Sequence, residues 1–240
     1  MNILITGVSK GLGLHLSKIF ISEGHHVWGI SRTKSSELEA LLQNYPTKLN
    51  WLAYDLEDSQ GIKESVFYSW IGFDTIIHGF VNNAAIAYDD LITNIKLDSL
   101  ERMYRANVFS PMILTKYTIR QMLLHNISGS IVHLSSISVH TGYKGLSMYA
   151  STKGALEAFS KNTAREWGEL GIRSNCLVAG FMETDMSSTL NKVQKNRIFN
   201  RTSLKKATNI TSVADTILFL LTEKALSITG QNIHVDSGTI

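Results

Sequence analysis

Seven short apolar, β-branched runs recur along the chain, at Asn2–Thr6, His26–Ser31, Leu49–Tyr54, Thr75–Val81, Ser130–Ser135, Ile172–Val178 and Asn232–Val235. Most of the intervening stretches are long enough to hold a helix. Neighbouring parallel strands need a crossover of roughly a dozen residues or more, whereas antiparallel neighbours can be joined by a tight turn. The alternation therefore predicts an α/β fold: a seven-stranded, mostly parallel sheet with helices on both faces. Apolar residues three and four apart predict helices at Leu12–Glu23, Asp98–Leu124, Ser147–Trp167 and Thr211–Thr222.

The 240 residues fit a single domain, 1–240, and a hydrophobic content of 44% is enough to fill one large core. Two prolines, Pro46 and Pro111, against 17 glycines and 18% charged residues exclude a Pro-rich linker, a collagen and a disordered chain. The single cysteine, Cys176, cannot form an internal disulfide or a Cys-rich zinc site, so nothing calls for an oxidising compartment. Met1 to Gly7 reads as a buried strand rather than a signal peptide, and the dense apolar run Ile217–Leu221 falls far short of the roughly 20 residues that span a bilayer. The expectation is a cytoplasmic protein with no membrane partner.

Residues 182–209 have weaker periodicity and more Asn, Ser and Thr, which suits a lid over a site at the strand ends. Between 186 and 214 stand Lys192, Lys195, Arg197, Arg201, Lys205 and Lys206 with no acidic residue, which leaves 17 basic against 20 acidic residues elsewhere. Charge confined to one segment points to a local anionic ligand, not to nucleic acid. A solvated helix face is the competing reading.

Thr6-Gly7-Val8-Ser9-Lys10-Gly11-Leu12-Gly13 follows the first strand and opens a helix. In that context glycines let the backbone approach a pyrophosphate at the helix N-terminus, although a tight turn alone also favours Gly. The second strand ends at Arg32, where an NAD-binding chain carries an acidic residue for the ribose 2′-hydroxyl. A guanidinium there suits a 2′-phosphate, and Lys10 adds a second positive charge, so the pair favours NADP(H).

Ser136 follows the fifth strand, Tyr149 comes 13 residues later, and Lys153 shares a helix face with it. A phenol titrates near 10 in water, and a neighbouring ammonium would bring it closer to the range of a working acid/base catalyst. Ser136 would hydrogen-bond a substrate oxygen on which negative charge develops.

With these motifs the chain resembles the short-chain dehydrogenase/reductase family, through Thr6-Gly7-x3-Gly11-x-Gly13, Asn82-Asn83-Ala84, Asn107, Ser136, Tyr149-x3-Lys153 and the closing Val235-Asp236-Ser237-Gly238. The resemblance covers essentially the whole chain and implies a doubly wound, Rossmann-type domain. It implies that Tyr149 is the general acid for ketone reduction, that Lys153 holds the nicotinamide ribose and lowers the tyrosine pKa, and that Ser136 orients the carbonyl. Asn107 would hold a water linking Lys153 to solvent. Ser9 and Leu12 belong to the cofactor turn, Asp55-Leu56 looks like the adenine-contacting pair, and Asn83-Ala84 resembles the turn that supports the cofactor. Gly180, Met182 and Thr184 would border the nicotinamide, Thr184 at its carboxamide. The family's Asn-Asn-Ala-Gly reads Asn82-Asn83-Ala84-Ala85 here, and its Pro-Gly reads Ala179-Gly180.

Within the family the chain looks most like 3-oxoacyl-acyl-carrier-protein reductases, but where that subfamily places basic residues to dock an acidic carrier it reads His125-Asn126-Ile127-Ser128 and Glu169-Leu170-Gly171, without an equivalent Arg or Lys. The expected substrate is a small carbonyl/alcohol pair, as a carrier- or coenzyme A-bound 3-oxoacyl thioester, a nucleotide-sugar or another anionic ketone. A non-catalytic NADP-binding sensor on the same fold is the alternative, although it has no need of Asn107, Ser136, Tyr149 and Lys153 together. The resemblance also implies a homodimer or homotetramer built on the long helices. The eight histidines form no compact ligand set: no metal is expected, His78 and His133 read as satisfied core residues, and His140 alone is placed to touch substrate.

Overall fold

The computed structural model of the chain describes residues 1–184 and 191–240. Its seven strands are β1 (Asn2–Thr6), β2 (His26–Ser31), β3 (Leu49–Ala53), β4 (Gly79–Asn82), β5 (Ser130–Ser136), β6 (Arg173–Ala179) and β7 (Asn232–Val235). They form one sheet in the order β3-β2-β1-β4-β5-β6-β7, and every neighbouring pair is parallel, so the sheet is parallel throughout. The chain winds outward from β1 to β3 and then returns to place β4 on the other side of β1. Such a reversal opens a crevice at the carboxyl ends of the two central strands.

The helices are α1 (Gly11–Ser22), α2 (Ser36–Asn44), α3 (Leu97–Tyr104), α4 (Ser110–Leu124), the short α5 (Ser138–Thr141), α6 (Ser147–Trp167), α7 (Lys192–Arg201) and α8 (Ile210–Leu221). Leu16 and Phe20 of α1 pack with Val213, Ile217 and Leu220 of α8 on one face of the sheet. Leu114, Ile119 and Met122 of α4 pack on the other with Val66 and Phe67, from a π-helical stretch at Lys63–Ile71. Each fully buried side chain of this size contributes roughly 1.5–3 kcal/mol.

Two expectations change. The fourth strand begins at Gly79, not Thr75, because Gln121 Nε2 takes the carbonyls of Gly72, Phe73 and Thr75 while Asn2 Nδ2 takes that of Ile76, diverting them from the ladder. The helix expected over Asp98–Leu124 is interrupted by a π-helical turn at Arg105–Phe109. Pro111 lacks the N–H that would bond the carbonyl of Asn107, four residues earlier, so a regular α-helical ladder cannot run through this point.

Candidate active site

The crevice between β1 and β4 is held by Thr6. Its hydroxyl accepts from the backbone amides of Asn83 (3.1 Å) and Ala84 (3.0 Å), and Asn83 Nδ2 returns bonds to the carbonyls of Thr6 (2.9 Å) and Gly7 (3.3 Å). Behind this turn the glycines leave no room for a side chain. A Cβ on Gly13 would stand 2.0 Å from the Gly7 carbonyl oxygen, and one on Gly7, whose φ is +78°, would meet Asn83 Nδ2 at 2.8 Å.

Gly11 has φ +56° and only the Thr184 side chain near a built Cβ, at 3.8 Å. This brings the segment after β6 over the glycine turn. The first turn of α1 carries no acidic residue, and the residue before it makes no side-chain cap bond to the helix. Together these features make a cradle of the kind a dinucleotide pyrophosphate fills.

Lys10 precedes α1 and is exposed. Ser35 Oγ donates to the Ser9 carbonyl and caps Leu38 N of α2, tying the end of β2 to the same turn. Arg32 lies exposed just beyond β2, where Trp51 Nε1 bonds Ser31 Oγ at 2.8 Å and Ser31 Oγ bonds the Thr33 carbonyl. Asp55 is exposed after β3, and buried Leu56 offers its carbonyl to Ser110 Oγ of α4. Met182 packs on the core shared by α1 and α8. A side chain on Gly180 would strike Thr208 Oγ1 at 2.2 Å, so this position admits only glycine.

The second half of the site converges at the carboxyl end of β5. Lys153, 2% exposed, donates from Nζ to the Leu134 carbonyl at 2.7 Å, and its Nζ lies 5.6 Å from the centre of the Tyr149 ring. Ser136 Oγ accepts from the amide and hydroxyl of Ser138, which leaves its own hydrogen for a ligand. The buried Asn107 donates to Thr152 Oγ1, between Tyr149 and Lys153 in the chain, at 3.2 Å. The structure thus gathers all four residues of the expected constellation at one strand end.

The electrostatics differ from the expectation. Burial pushes the Tyr149 phenol up to about 12, and the Asp89 carboxylate adds to the rise. Burial pulls Lys153 down to about 8. Desolvation disfavours the charged form of each group and is the larger cause of both shifts, so the phenol stands above its ordinary value despite the nearby ammonium. Asp89, itself raised by burial, carries no sequence signal, because its loop has no periodicity or motif that marks a charge acting on the phenol.

Three histidine expectations are also refined. His140 does not turn toward a substrate entrance: Nε2 lies 3.1 Å from Glu157 Oε1, and its ring sits 5.0 Å from that of His234. Glu157 also takes bonds from Ser135 Oγ and from Asn232 Nδ2, joining β5, α6 and β7 behind the site. His133 is buried between Phe80 and Phe159 with neither ring nitrogen bonded among the described residues, and burial drives its pKa down to about 3. His78 is satisfied, accepting from Asn2 N at 3.0 Å. Among the described residues no group of three or more His, Cys, Asp or Glu side chains could hold a metal ion, and no helix is long and apolar enough to cross a membrane. Cys176 is fully buried, its thiol pushed up to about 12.

The expected lid spans 182–209; residues 185–190 of it lie outside the described residues. The rest contains α7, with an Asn191/Gln194 capping box, joined to the segment after β6 by a Lys195–Glu183 ion pair and by Phe181 against Phe199.

A family model described as Enoyl-(Acyl carrier protein) reductase matches residues 7–239. The chain is similar to a 3-oxoacyl-acyl-carrier-protein reductase of Chlamydia pneumoniae, 31% identical over 238 residues that cover 98% of this chain and 95% of the relative. An L-xylulose reductase of Caenorhabditis elegans is 28% identical with 98% and 94% coverage. Among solved structures, ElxO with NADP bound superposes with a TM-score of 0.88 at 26% identity, covering 99% of this chain and 98% of that one.

Proposed function

The chain belongs to the short-chain dehydrogenase/reductase family of oxidoreductases, and from that premise we propose that it reduces a ketone to a secondary alcohol, or the reverse, with NADP(H). The observation that carries the reading is the convergence of Ser136, Tyr149 and Lys153 at the end of β5, beside the glycine cradle at the end of β1.

The cradle fits the cofactor: Gly7 and Gly13 admit no side chain, the first turn of its helix is free of acidic residues, and Arg32 stands at the end of β2. When bound, the nicotinamide supplies or accepts the hydride. Ser136 donates its remaining hydrogen to the carbonyl oxygen of the substrate. Tyr149 transfers its phenolic proton to the same oxygen, and the high pKa of the phenol keeps that proton in place through neutral pH. Lys153 would hold the ribose of the bound cofactor and pass protons toward the phenol, whose ring its Nζ approaches to 5.6 Å. The carbonyl of Asn107, which Pro111 cannot engage, would accept from the water that returns those protons from solvent. In the oxidative direction each transfer runs backwards.

The 3-oxoacyl-acyl-carrier-protein reductase at 31% identity supports a 3-oxoacyl thioester as the substrate class, whereas the L-xylulose reductase at 28% acts on an uncharged sugar. Arg32, with no acidic residue at this strand end, supports NADP(H) over NAD(H). The test is to titrate NADPH and NADH into the purified protein and its Arg32→Asp variant. The phosphorylated cofactor should bind more tightly to the wild type, and the substitution should narrow or reverse the preference. Equal affinities in the wild type would contradict the assignment. Exposed Phe109 and Leu124, at the two ends of α4, support assembly through the long helices, which light scattering at micromolar protein checks.

A further inference from the structure

The six cations of the basic segment are not equivalent. Lys195 is held by Glu183 at 3.0 Å, and Lys205 Nζ donates to the Asn200 carbonyl at 2.7 Å. Lys206 lines a groove of about 340 Å³ with His234 and Asp236, on the β7 side of the lid base. Lys192 and Arg197 are exposed along α7. Arg201, the last residue of α7, instead lies with its guanidinium carbon 5.8 Å from the centre of the Tyr143 ring.

Tyr143 belongs to the loop that joins Ser136 to Tyr149, between Gly142 and Gly145, which have φ +66° and +86°. Asp90 N donates to the Gly145 carbonyl at 3.0 Å, so the segment carrying Asp89 is stitched to this same loop. Arg201 therefore rests on the loop between Ser136 and Tyr149, to which the segment after β4 is also bonded. A guanidinium resting on an aromatic face keeps its edge N–H groups free, and those groups match a carboxylate or phosphate in a bidentate pair. Arg201 makes no ion pair among the described residues. The base of α7 is fixed behind it: Ser203 N and Leu204 N donate to the carbonyls of Gly238 and Ser237, and Thr208 N to that of Phe181.

Resting on the ketoreductase reading above, we propose that Arg201, seated on Tyr143, is the specificity determinant for an anionic group on the substrate remote from the reacting carbonyl.

The experiment compares matched substrates with NADPH: a 3-oxo carboxylate against its methyl ester, and a 3-oxoacyl coenzyme A thioester against the neutral N-acetylcysteamine thioester. Arg201→Gln should raise KM for the anionic member of each pair by roughly tenfold or more, with kcat little changed and a much smaller effect on the neutral member. Arg201→Lys should recover only part of the loss, because it restores the charge without the fork. Tyr143→Leu should reproduce the defect and Tyr143→Phe should rescue it, a pattern that general damage to the fold would not give. A response in only one pair identifies whether carboxylate or phosphate is read, and either supports the proposal. Equal changes in charged and neutral partners, or none in either, would overturn the role of Arg201 while leaving ketone reduction intact. No turnover of any ketone by the wild type would overturn the ketoreductase reading and this proposal with it.

Discussion

Asn107 engages both backbone polar groups of Ile86: Oδ1 accepts from Ile86 N at 2.9 Å, and Nδ2 donates to Ile86 O at 2.8 Å. The side chain thereby fastens the loop after β4, which carries Asp89, to the π-helical break between α3 and α4. Both Nδ2 hydrogens are spent on protein, on the Ile86 carbonyl and on Thr152 Oγ1. Asn107→Ala removes both partners of Ile86 and should cost about 2 kcal/mol or more, since each stranded, partly buried group costs roughly 1–3 kcal/mol. Urea denaturation checks the magnitude, and hydrogen exchange at Ile86 should quicken. A loss below about 0.5 kcal/mol with unchanged exchange would show that the clamp does not support the loop.

The glycine turn gives a sharper contrast. Gly13→Ala drives a methyl into the Gly7 carbonyl, 2.0 Å from the built Cβ, whereas Gly168→Ala meets nothing within 4 Å at a backbone conformation that alanine accepts. The first should abolish cofactor binding and lower stability; the second should leave binding unchanged. Calorimetric titration of NADPH into both variants decides it, and tight binding by the Gly13 variant would refute the cradle.

Asp89 sets the direction of a pH effect. Burial is the larger cause of the raised Tyr149 pKa, and the Asp89 carboxylate adds to it. Asp89→Asn removes the repulsion and should lower the phenol pKa. Alcohol oxidation needs the phenolate as proton acceptor, so its rate rises with pH, and the variant's profile should lie at lower pH than that of the wild type. Ketone reduction needs the protonated phenol, so near neutrality it should show little shift. An oxidation profile that stays in place, or moves to higher pH, would remove Asp89 from the electrostatics of the site.

The parts of the fold visible in the sequence are those dictated by local pattern. The β-branched runs that became β1, β2 and β5 are continuous because a parallel strand is buried on both faces. Tyr149 and Lys153 are four apart in a helix whose boundaries, Ser147–Trp167, follow its apolar spacing. Elements governed by long-range contacts were less visible. The shortened β4 depends on Gln121, more than 40 residues away in the chain. His140 is turned from the site by Glu157, on another helix, and Asp89 acts through a loop without periodicity. The π-helical break did have a local signal: Pro111 four residues beyond Asn107.

The central claim is that Tyr149 delivers the proton during ketone reduction. The most direct measurement is NADPH oxidation by the wild type and by Tyr149→Phe, with cofactor affinity measured on the same preparations. The ring and its packing persist in the variant, so NADPH should bind with nearly unchanged affinity. Turnover should fall by roughly 10²–10⁴-fold, the range for a positioned general acid. Turnover within about threefold of the wild type, with NADPH still bound, would contradict the account and assign the proton to another group.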